Sequence, residues 1–473
     1  MAKSNFRRLA DWPIDRRTLL KGAAATAGLA TPFARYAAGG AVTLRQTPTT
    51  TDISGTSLSI LLWSHFVPRF DVWFDKFVQE WGQANNVTTK VDHINTADVP
   101  AAIASEISAG QGHDIVEHIA SLAQFEKSML DLKDINDEAT KRHGEQLGMA
   151  HRNSFNPTTG KQYGFCHGYA PDPGDYRRSL WDKAGLADGP KTWDDLLKAG
   201  AQIKAQQGVQ MGIGMSNEID SRMAAQTLMW AYGSAIQDEN ENVTINSPET
   251  IAAVEYMADL FKQTMTPEVF GWNAASNNQL LVAGRASYIL NSISAYRTAQ
   301  KDQPDVGKDI FFTRPLVGPA GEENAWAHGH AVFISMIPTY SKNQDTAKEF
   351  LLHLVDNYAD ACNQSELYNF PAWPSTVPDL FTADGWLAND PYKSDPADKL
   401  EALAKANDWT TNLGHPGPAN AAMGEIFALP TLPNMMARVA QGQQSAKDSV
   451  AQAEQEIDAI FKKWRAEGLM GGG

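Results

Sequence analysis

The histidines and carboxylates that could do chemistry lie in a few short segments of this 473-residue sequence. His113 is followed by Glu117 and His118, and His328 is followed by His330, on the same side of a possible strand. Residues of these types bind transition metals. The first group, however, has one residue too many for the H-x-x-E-H zinc pattern, and its composition favours a strand over a helix. We therefore predict no metal site and no cofactor.

Nucleophilic chemistry has little support in the sequence. Cys166 stands beside His167, but neighbouring residues of a strand point to opposite faces, so the imidazole would not activate the thiol. The segment 212–214 lacks the third glycine of a dinucleotide loop, and neither a phosphate-binding loop nor a G-x-S-x-G turn occurs. A glycosidase would need two carboxylates at a defined separation, and the sequence singles out no such pair. We predict no catalytic residues, with an exported carbohydrate-active enzyme as an alternative.

Short apolar runs alternate with amphipathic helices along the chain. Leu58–Trp63 is almost continuously apolar, which is typical of a strand covered on both faces. Aromatic and aliphatic residues follow at helical spacing between Trp73 and Trp81. Ser247-Pro248-Glu249 combines an N-cap hydroxyl, a first-turn proline and an acid, which predicts a helix start. The alternation predicts an α/β fold with parallel sheets flanked by helices.

In sheets of this kind ligands bind beyond the carboxyl ends of the strands. Further strands are predicted at 114–117, 287–290 and 331–334. The segments to consider are therefore Ser64-His65, His118-Ile119-Ala120, 291–294 and 326–330.

Six segments in order along the chain carry a resemblance to a known family. They are "AAIASEISAGQGHDIVE" (101–117), "GKQYGFCHGYAPDPGDYRRSLWDKAGL" (160–186), "PKTWDDLLKAGAQIKA" (190–205), "NSPETIAAVEYMADLF" (246–261), "LLVAGRASYILNSISAYR" (280–297) and "HGHAVFISMIPTYSKNQDTAKEFLLHLV" (328–355). Together they resemble the extracellular solute-binding proteins of ATP-driven (ABC) importers, family 1, in the sugar-binding branch that includes maltose-binding protein. The resemblance spans residues 58–465.

The resemblance implies the two-lobed periplasmic binding protein fold, with parallel-rich sheets and several hinge crossovers. We expect an N-terminal lobe of residues 52–165 and 315–357 and a C-terminal lobe of residues 166–314 and 358–467. The chain would cross near Phe165–His167, return near Thr313–Pro315 and leave again near Val355–Tyr358. A cleft that closes must gain ligand contacts on closing, and ligand groups on both lobes would supply them.

A sugar presents hydroxyls for hydrogen bonds and flat C–H faces for stacking, so its site needs polar side chains beside aromatic rings. The residues that combine these types with a position near a strand end or crossover are Trp63, His65, Glu117, His118, Tyr169, Asp172, Trp230, Asn291, Trp326, His328 and Trp373. For Trp63 and Trp230 burial in the core is an open alternative. Trp373 is expected in a second-lobe loop, and Asp175 is expected to pair with Arg177 or Arg178.

The resemblance implies a periplasmic, monomeric receptor that hands a mono- or oligosaccharide to inner-membrane permease subunits. A polyamine is the runner-up solute, because Glu117 and Asp172 with Trp63 would form a cation-binding box.

The amino-terminal segment differs sharply from the rest in charge. Residues 1–45 carry eight lysines and arginines against two aspartates, so the remainder holds a formal charge of −21 within the total of −15. A surface this acidic repels nucleic acid. Arg16-Arg17 precede an uncharged stretch, Gly22–Ala34, and resemble a twin-arginine signal for the export machinery, with cleavage near Ala37–Ala41.

The two cysteines, Cys166 and Cys362, could form a disulfide or stay free, and the sequence leaves both open.

Overall fold

The computed structural model describes residue 49 and residues 51–472. The predicted export signal and its cleavage region lie outside these described residues. Within them, no helix combines the length and apolar character that a bilayer crossing requires.

The described residues contain thirteen strands. In chain order they are β1 (Ser57–Trp63), β2 (Thr88–Ile94), β3 (Ile115–His118), β4 (Phe155–Asn156), β5 (Lys161–Gln162), β6 (Phe165–Pro171), β7 (Gly174–Arg177), β8 (Gln210–Gly212), β9 (Ala286–Leu290), β10 (Ile310–Thr313), β11 (Ala327–Met336), β12 (Phe370–Pro371) and β13 (Thr410–Thr411). The predicted strands at 58–63, 114–117, 287–290 and 331–334 are confirmed as β1, β3, β9 and the centre of β11.

Helices connect and cover these strands within the same residues. They are α1 (Arg69–Asn85), α2 (Val99–Ala109), α3 (Lys133–His143), α4 (Gly148–Ser154), α5 (Arg178–Asp182), α6 (Trp193–Gln207), α7 (Ile219–Ala231), α8 (Pro248–Thr264), α9 (Ser276–Val282), α10 (Ser294–Asp302), α11 (Pro304–Asp309), α12 (Gln344–Asp356), α13 (Tyr358–Gln364), α14 (Ala406–Trp409), α15 (Ala421–Ala428), α16 (Thr431–Ala440) and α17 (Ala446–Ala466). The predicted N-cap of α8 is confirmed, since the Ser247 side chain accepts from the Thr250 N–H.

The first sheet has the strand order β12-β6-β11-β3-β1-β2, and β13 pairs with β11. β1 lies parallel to β2 and to β3. β11, in contrast, is antiparallel to both β3 and β6, and β12 is antiparallel to β6. We call the part of the molecule built on this sheet the first lobe.

The second sheet has the order β10-β7-β9-β8, and the part built on it is the second lobe. β7 is antiparallel to β10 and β9, whereas β8 and β9 are parallel. Both sheets are therefore mixed. In the first sheet, helices connect the parallel strands β1, β2 and β3, whereas the antiparallel strand β11 joins after the chain has formed the second sheet.

Two of the three points at which the chain changes sheets differ from those expected, whereas the return after Thr313, at the end of β10, agrees. The expected crossing at Phe165–His167 lies inside β6, because that whole strand pairs with β11. The chain passes to the second sheet between Pro171 and Gly174 instead. After the expected exit at Val355–Tyr358 the chain still contributes β12 to the first sheet. The residue ranges of the two lobes remain a prediction.

Each lobe has an apolar interior between its sheet and its helices. In the first lobe, Phe74, Phe77 and Trp81 of α1 are buried, and the ring of each contacts that of Phe350 in α12. Cys166 and Cys362 are free thiols, and both are buried. Burial raises the pKa of each thiol, so neither is a ready nucleophile.

Candidate functional site

A cavity of about 780 Å³ opens where the strand ends of both sheets face each other. Its first-lobe wall follows three consecutive strand ends: Phe66 after β1, Asn95 and Thr96 after β2, and His118 and Ser121 at and after β3. Parallel strands place their carboxyl ends at one edge of a sheet, which explains why residues so far apart in sequence meet here. The wall offers one aromatic face and several hydroxyl, amide and imidazole groups.

The second-lobe wall comes from three other segments. Its side chains are Asn217, Glu218 and Arg222 at the start of α7, Trp272, Asn273 and Asn278 near the start of α9, and Phe427 at the end of α15. Indole and phenyl rings thus stand beside amide groups on this side as well. Together the walls have the mixture of flat apolar faces and fixed polar groups that characterises small-molecule sites.

Glu218 is the N-cap of α7, and this position determines which hydrogen bonds its carboxylate accepts. One oxygen accepts the Asp220 N–H at 2.7 Å, and the other accepts the Ser221 N–H at 2.6 Å and the Ser221 hydroxyl. Burial raises the pKa of Glu218, while the bonds to Ser221 and Asp220 act in the opposite direction. The carboxylate therefore satisfies the amino end of the helix, where its charge is also favoured by the helix dipole.

Arg222 lies one turn further along α7, and its partners are uncharged. Its Nε donates to the Leu429 carbonyl at 3.2 Å, and its Nη2 donates to the Ala428 carbonyl at 3.2 Å and to Asn217 Oδ1 at 2.5 Å. The guanidinium thereby ties the end of α15 to α7. Among the cavity-lining residues of the described chain, Arg222 is the one lysine or arginine and Glu218 the one carboxylate.

Behind the cavity, Asp172 and His330 form a buried ion pair with 3.0 Å between Oδ1 and Nδ1. The same Nδ1 lies 3.8 Å from Asp220 Oδ1 in the second lobe. Although burial lowers the pKa of His330, the bond to Asp172 and the charges of Asp220 and Glu218 raise it above its usual range. Burial, followed by the charge of Glu218, raises the pKa of Asp220 well above its ordinary value. His330 therefore pairs with Asp172 and also lies near Asp220 of the second lobe.

Three predicted site residues, Trp230, Trp326 and His328, belong to one cluster of ring contacts that also includes His415. The Trp230 ring lies 4.7 Å from the ring of His328, and the Trp326 ring lies 4.9 Å from that of His415. His328 is inside strand β11 rather than in a loop, and its ring is 5.9 Å from the cavity-lining Phe427. Burial lowers the pKa of His328 to about 3, so this imidazole is neutral.

Three other predicted site residues pack inside the first lobe instead of facing the cavity. His65, expected at the cleft surface, is buried, and its Nε2 bonds Asn369 Oδ1 at 2.9 Å. Burial lowers its pKa to about 4. Trp63 stacks on His65 with ring centroids 4.8 Å apart and donates to Glu117 Oε1 at 3.3 Å. The polar ends of these side chains form hydrogen bonds inside the first lobe, which is why the side chains turn inward.

Glu117 belongs to a buried pair of the first sheet. Its Oε2 lies 2.8 Å from His167 Nε2 and accepts the Ser335 hydroxyl at 2.9 Å. Burial acts against the charged form, but His167, Ser335 and Trp63 lower the pKa of Glu117 below its usual value. The cation-binding box of Glu117, Asp172 and Trp63 is not assembled, because Glu117 pairs with His167 and Asp172 with His330.

Tyr169 and Trp373 also lie away from the cavity walls. Tyr169 is buried within β6 and donates to Asn407 Oδ1 at 2.5 Å. Trp373 follows β12 and belongs to the first lobe, not to the second as expected. Its ring lies 5.4 Å from that of Phe165, and its Nε1 donates to Thr140 Oγ1 at 3.3 Å, so it anchors the loop.

Two predicted residues reach the cavity directly or through one neighbour. His118 lines it, with its Nδ1 near the Ala120 backbone. Asn291 is buried behind the wall and donates to Oδ1 of the cavity-lining Asn278 at 2.6 Å.

Asp175 on β7 does not pair with either arginine, as had been expected. Its side chain is fully buried, and neither carboxylate oxygen has a hydrogen-bond partner among the described residues. Burial raises its pKa well above the ordinary value. Arg177 pairs with Asp309 at 2.6 Å instead.

Most of the cavity-lining side chains were not predicted. Asn95 and Thr96 follow β2, a strand whose sequence Thr-Thr-Lys-Val-Asp-His-Ile alternates in polarity and lacks a continuous apolar run. Its period-two pattern was the available signal. Trp272 and Asn273 follow a short 3-10 helix, Pro267–Gly271, and no local pattern marks them as part of the site.

The architecture of two sheets with strand ends facing one cavity agrees with the family comparison. The model of the bacterial extracellular solute-binding proteins matches residues 68–357, more than half of the chain. The chain belongs to this family. This family assignment indicates a binding role outside the cytoplasm.

Individual relatives of this solute-binding protein are distant. The arabinooligosaccharide-binding protein of Bacillus subtilis is 27% identical over 180 residues, 37% of this chain and 40% of that protein. A probable ABC transporter-binding protein of Deinococcus radiodurans is 23% identical over 187 residues, 38% of this chain and 44% of its own length. The chain thus spans less than half the length of the curated relatives it matches.

Solved structures extend the likeness of the fold to nearly the whole chain. Maltose-bound T. maritima MalE3 matches with a TM-score of 0.70 at 17% identity, over 86% of this chain and 100% of that one. A sugar transporter from Arthrobacter chlorophenolicus A6 with bound laminaribiose gives 0.70 and 17%, over 85% and 99%. At such identities the likeness establishes the two-lobed fold of this solute-binding protein.

Proposed function

We propose that this protein is the substrate-binding component of an ABC importer, which captures a saccharide between its lobes and delivers it to membrane permease subunits. The single observation that carries the proposal is the composition of the cavity. Phe66 from the first lobe and Trp272 and Phe427 from the second supply faces for sugar rings. Asparagine, serine and threonine side chains between them supply donors and acceptors for hydroxyls.

The charges at the cavity favour a saccharide over a polyamine. A polyamine site needs carboxylates whose oxygens are free to meet ammonium groups. Both oxygens of Glu218 already accept bonds at the amino end of α7. Arg222 on the same wall would repel an ammonium group. A polyamine is therefore the weaker candidate.

The same inventory argues against a glycosidase. Hydrolysis of a glycoside requires two carboxyl groups placed on either side of the bond that breaks. Glu218 is the one carboxylate among the described cavity-lining residues, and it is held in a helix cap. The proposed receptor performs no chemistry and has no catalytic residues.

The connection of the lobes supports a closing motion. Ligand groups contributed by both walls give a closed state more contacts than an open one, which shifts the population on binding. The contact between His330 and Asp220, 3.8 Å in this structure, joins the two lobes. This distance is expected to change when the lobes close.

A thermal-shift panel tests the proposal. Neutral and acidic mono- and oligosaccharides, polyamines and amino acids would each be added to the purified protein. A saccharide that binds the folded state stabilises it by RT ln(1 + [L]/Kd) and so raises the melting temperature. Stabilisation by a polyamine alone, or sustained release of sugar from added glycosides, would contradict the proposal.

Export and partners complete the proposal. The family assignment supports an extracytoplasmic location, and we propose that the Arg16-Arg17 segment directs twin-arginine export to the periplasm, with cleavage near Ala37–Ala41. The receptor is proposed to act as a monomer. Mass analysis of the mature protein from the periplasmic fraction, with an Arg16→Lys, Arg17→Lys variant as control, tests the signal.

A further inference from the structure

Arg222 retains unused hydrogen-bond donors at the cavity wall. A guanidinium has five N–H groups and no acceptor. In Arg222 the Nε proton and both Nη2 protons are taken by Leu429, Ala428 and Asn217. The two protons on Nη1 have no acceptor within the described part of the chain. A partly exposed residue of the cavity wall therefore presents a nitrogen with two free donors.

The charge of Arg222 is also uncompensated by any direct partner. All three of its acceptors are neutral carbonyl oxygens. Other arginines with little exposure are paired differently: Arg177 meets Asp309 at 2.6 Å, and Arg297 meets Asp390 at 2.6 Å. Within residues 51–472 Arg222 has no such ion pair. The charge of Glu218 acts on Arg222 without direct contact between them. A cation at a concave wall with no carboxylate in contact attracts anions into the cavity.

The acidic groups near Arg222 are each occupied. Glu218 caps α7, and the positive end of that helix offsets its charge. Asp172 pairs with His330 at 3.0 Å. Burial raises the pKa of Asp220 well above its usual value, which favours its uncharged form. These arrangements leave the guanidinium as the charged group at the wall that is free to meet a ligand.

We infer that the saccharide bound in this cavity is acidic, and that Arg222 selects it by binding its carboxylate through Nη1. The inference rests on the saccharide-binding function proposed above and specifies the class of sugar. A guanidinium suits a carboxylate in both charge and donor geometry. The amides of Asn217 and Asn278 lie on the same wall for ring hydroxyls. Uronic acids and short oligouronides combine these features.

The experiment compares acidic sugars with neutral sugars of the same stereochemistry. Glucuronic acid is paired with glucose, galacturonic acid with galactose, and α-1,4-linked digalacturonic acid with α-1,4-linked galactobiose. Affinities are measured by calorimetry on the mature protein. The acidic member of at least one pair should bind about 10- to 100-fold more tightly than its neutral partner, as a charge-assisted bond allows. Added salt should weaken that preference.

Two variants separate recognition from structure. Arg222→Met should lose the acid preference by the same factor, while the affinity for the neutral partner changes less than about threefold. Arg222→Lys keeps the charge and should keep part of the preference. Arg438→Met is the matched control, because Arg438 also donates to a backbone carbonyl, that of Ser449, but lies outside the cavity wall. It should leave the preference unchanged.

The outcomes distinguish the inference of an acidic sugar from the saccharide-binding function on which it rests. Should neutral saccharides bind while acidic ones bind no better, or should Arg222→Met retain the acid preference, the inference is wrong and the saccharide function stands. Should no saccharide of either kind bind, both are wrong.

Discussion

Glu117 and Asp175 are both buried carboxylates on sheet strands, one in each lobe, yet their pKa values are shifted in opposite directions. Glu117 has three donors, from His167, Ser335 and Trp63. Asp175 has none within the described residues. The contacts lower the pKa of Glu117, whereas burial raises that of Asp175 well above its usual value.

The difference shows that burial alone does not decide the charge of an acid. Removing a carboxylate from water penalises its charged form, and only directed donors or a counter-charge restore that form. The first sheet supplies such partners where β3, β6 and β11 are adjacent. The second sheet supplies none at β7, so burial favours the uncharged form of Asp175.

The largest expected effect comes from breaking the pair in the first lobe. Glu117→Gln removes the charge that His167 faces and should lower the free energy of unfolding by about 3–5 kcal/mol. Chemical denaturation at neutral pH measures it. Ser335→Ala, which removes one donor and keeps the ion pair, is the control and should cost about 1 kcal/mol. Equal losses in the two variants would show that the ion pair adds nothing beyond one hydrogen bond.

The second prediction concerns the pH dependence of Asp175. Its folded pKa lies above its unfolded pKa of about 3.9, so the folded state holds a proton that the unfolded state releases. Stability therefore falls as pH rises above about 4, by up to about 1.4 kcal/mol per pH unit for one proton. Asp175→Asn should lack this slope. The free energy of unfolding, measured from pH 5 upward for both proteins, gives the two slopes (about one proton apart).

Glu117 should show the opposite sign. Its folded pKa is lowered, so its contribution is present above the unfolded pKa of about 4.3 and is lost as pH falls through the folded value. The stability advantage of the natural protein over Glu117→Gln should accordingly shrink in acid. An advantage that stayed constant down to the acid limit of folding would contradict a charged Glu117.

The smallest effect is expected at an exposed pair. Glu80 lies 3.3 Å from Lys76 on α1, with 46% and 71% of the two side chains exposed. Glu80→Gln should change the free energy of unfolding by less than about 0.5 kcal/mol, and salt should reduce even that. Denaturation at low and high salt checks it. A loss comparable to that of Glu117→Gln would remove the contrast between interior and surface.

Much of the fold could be predicted from local patterns. The apolar run of β1 and the N-cap of α8 are signals carried by a few adjacent residues, and both are confirmed. The family resemblance added the expectation of two lobes and of the chain segments that form each. β2 and β8 gave weaker signals, because the first alternates in polarity and the second is three residues long.

The site was harder to predict, because orientation depends on partners that are distant in sequence. Trp63, His65 and Glu117 stand at strand ends as expected, but Asn369, His167 and Ser335 turn them inward. Asn217 and Arg222 face the cavity because Ala428 and Leu429 fix them there. No short-range pattern records these pairings. His118, at the end of β3, lines the cavity, and its role as a ligand-binding residue stays a prediction.

Strand β11 has a consequence for how the polypeptide matures. It lies between β3 and β6 in the first sheet, and its Ile334 stands opposite His118. The first sheet therefore stays incomplete on the ribosome until the chain has been translated through Met336, beyond all four strands of the second sheet. Such long-range closure slows folding. A nascent chain of this design should need chaperone protection in the cytoplasm, and a fragment ending before residue 327 should remain aggregation-prone.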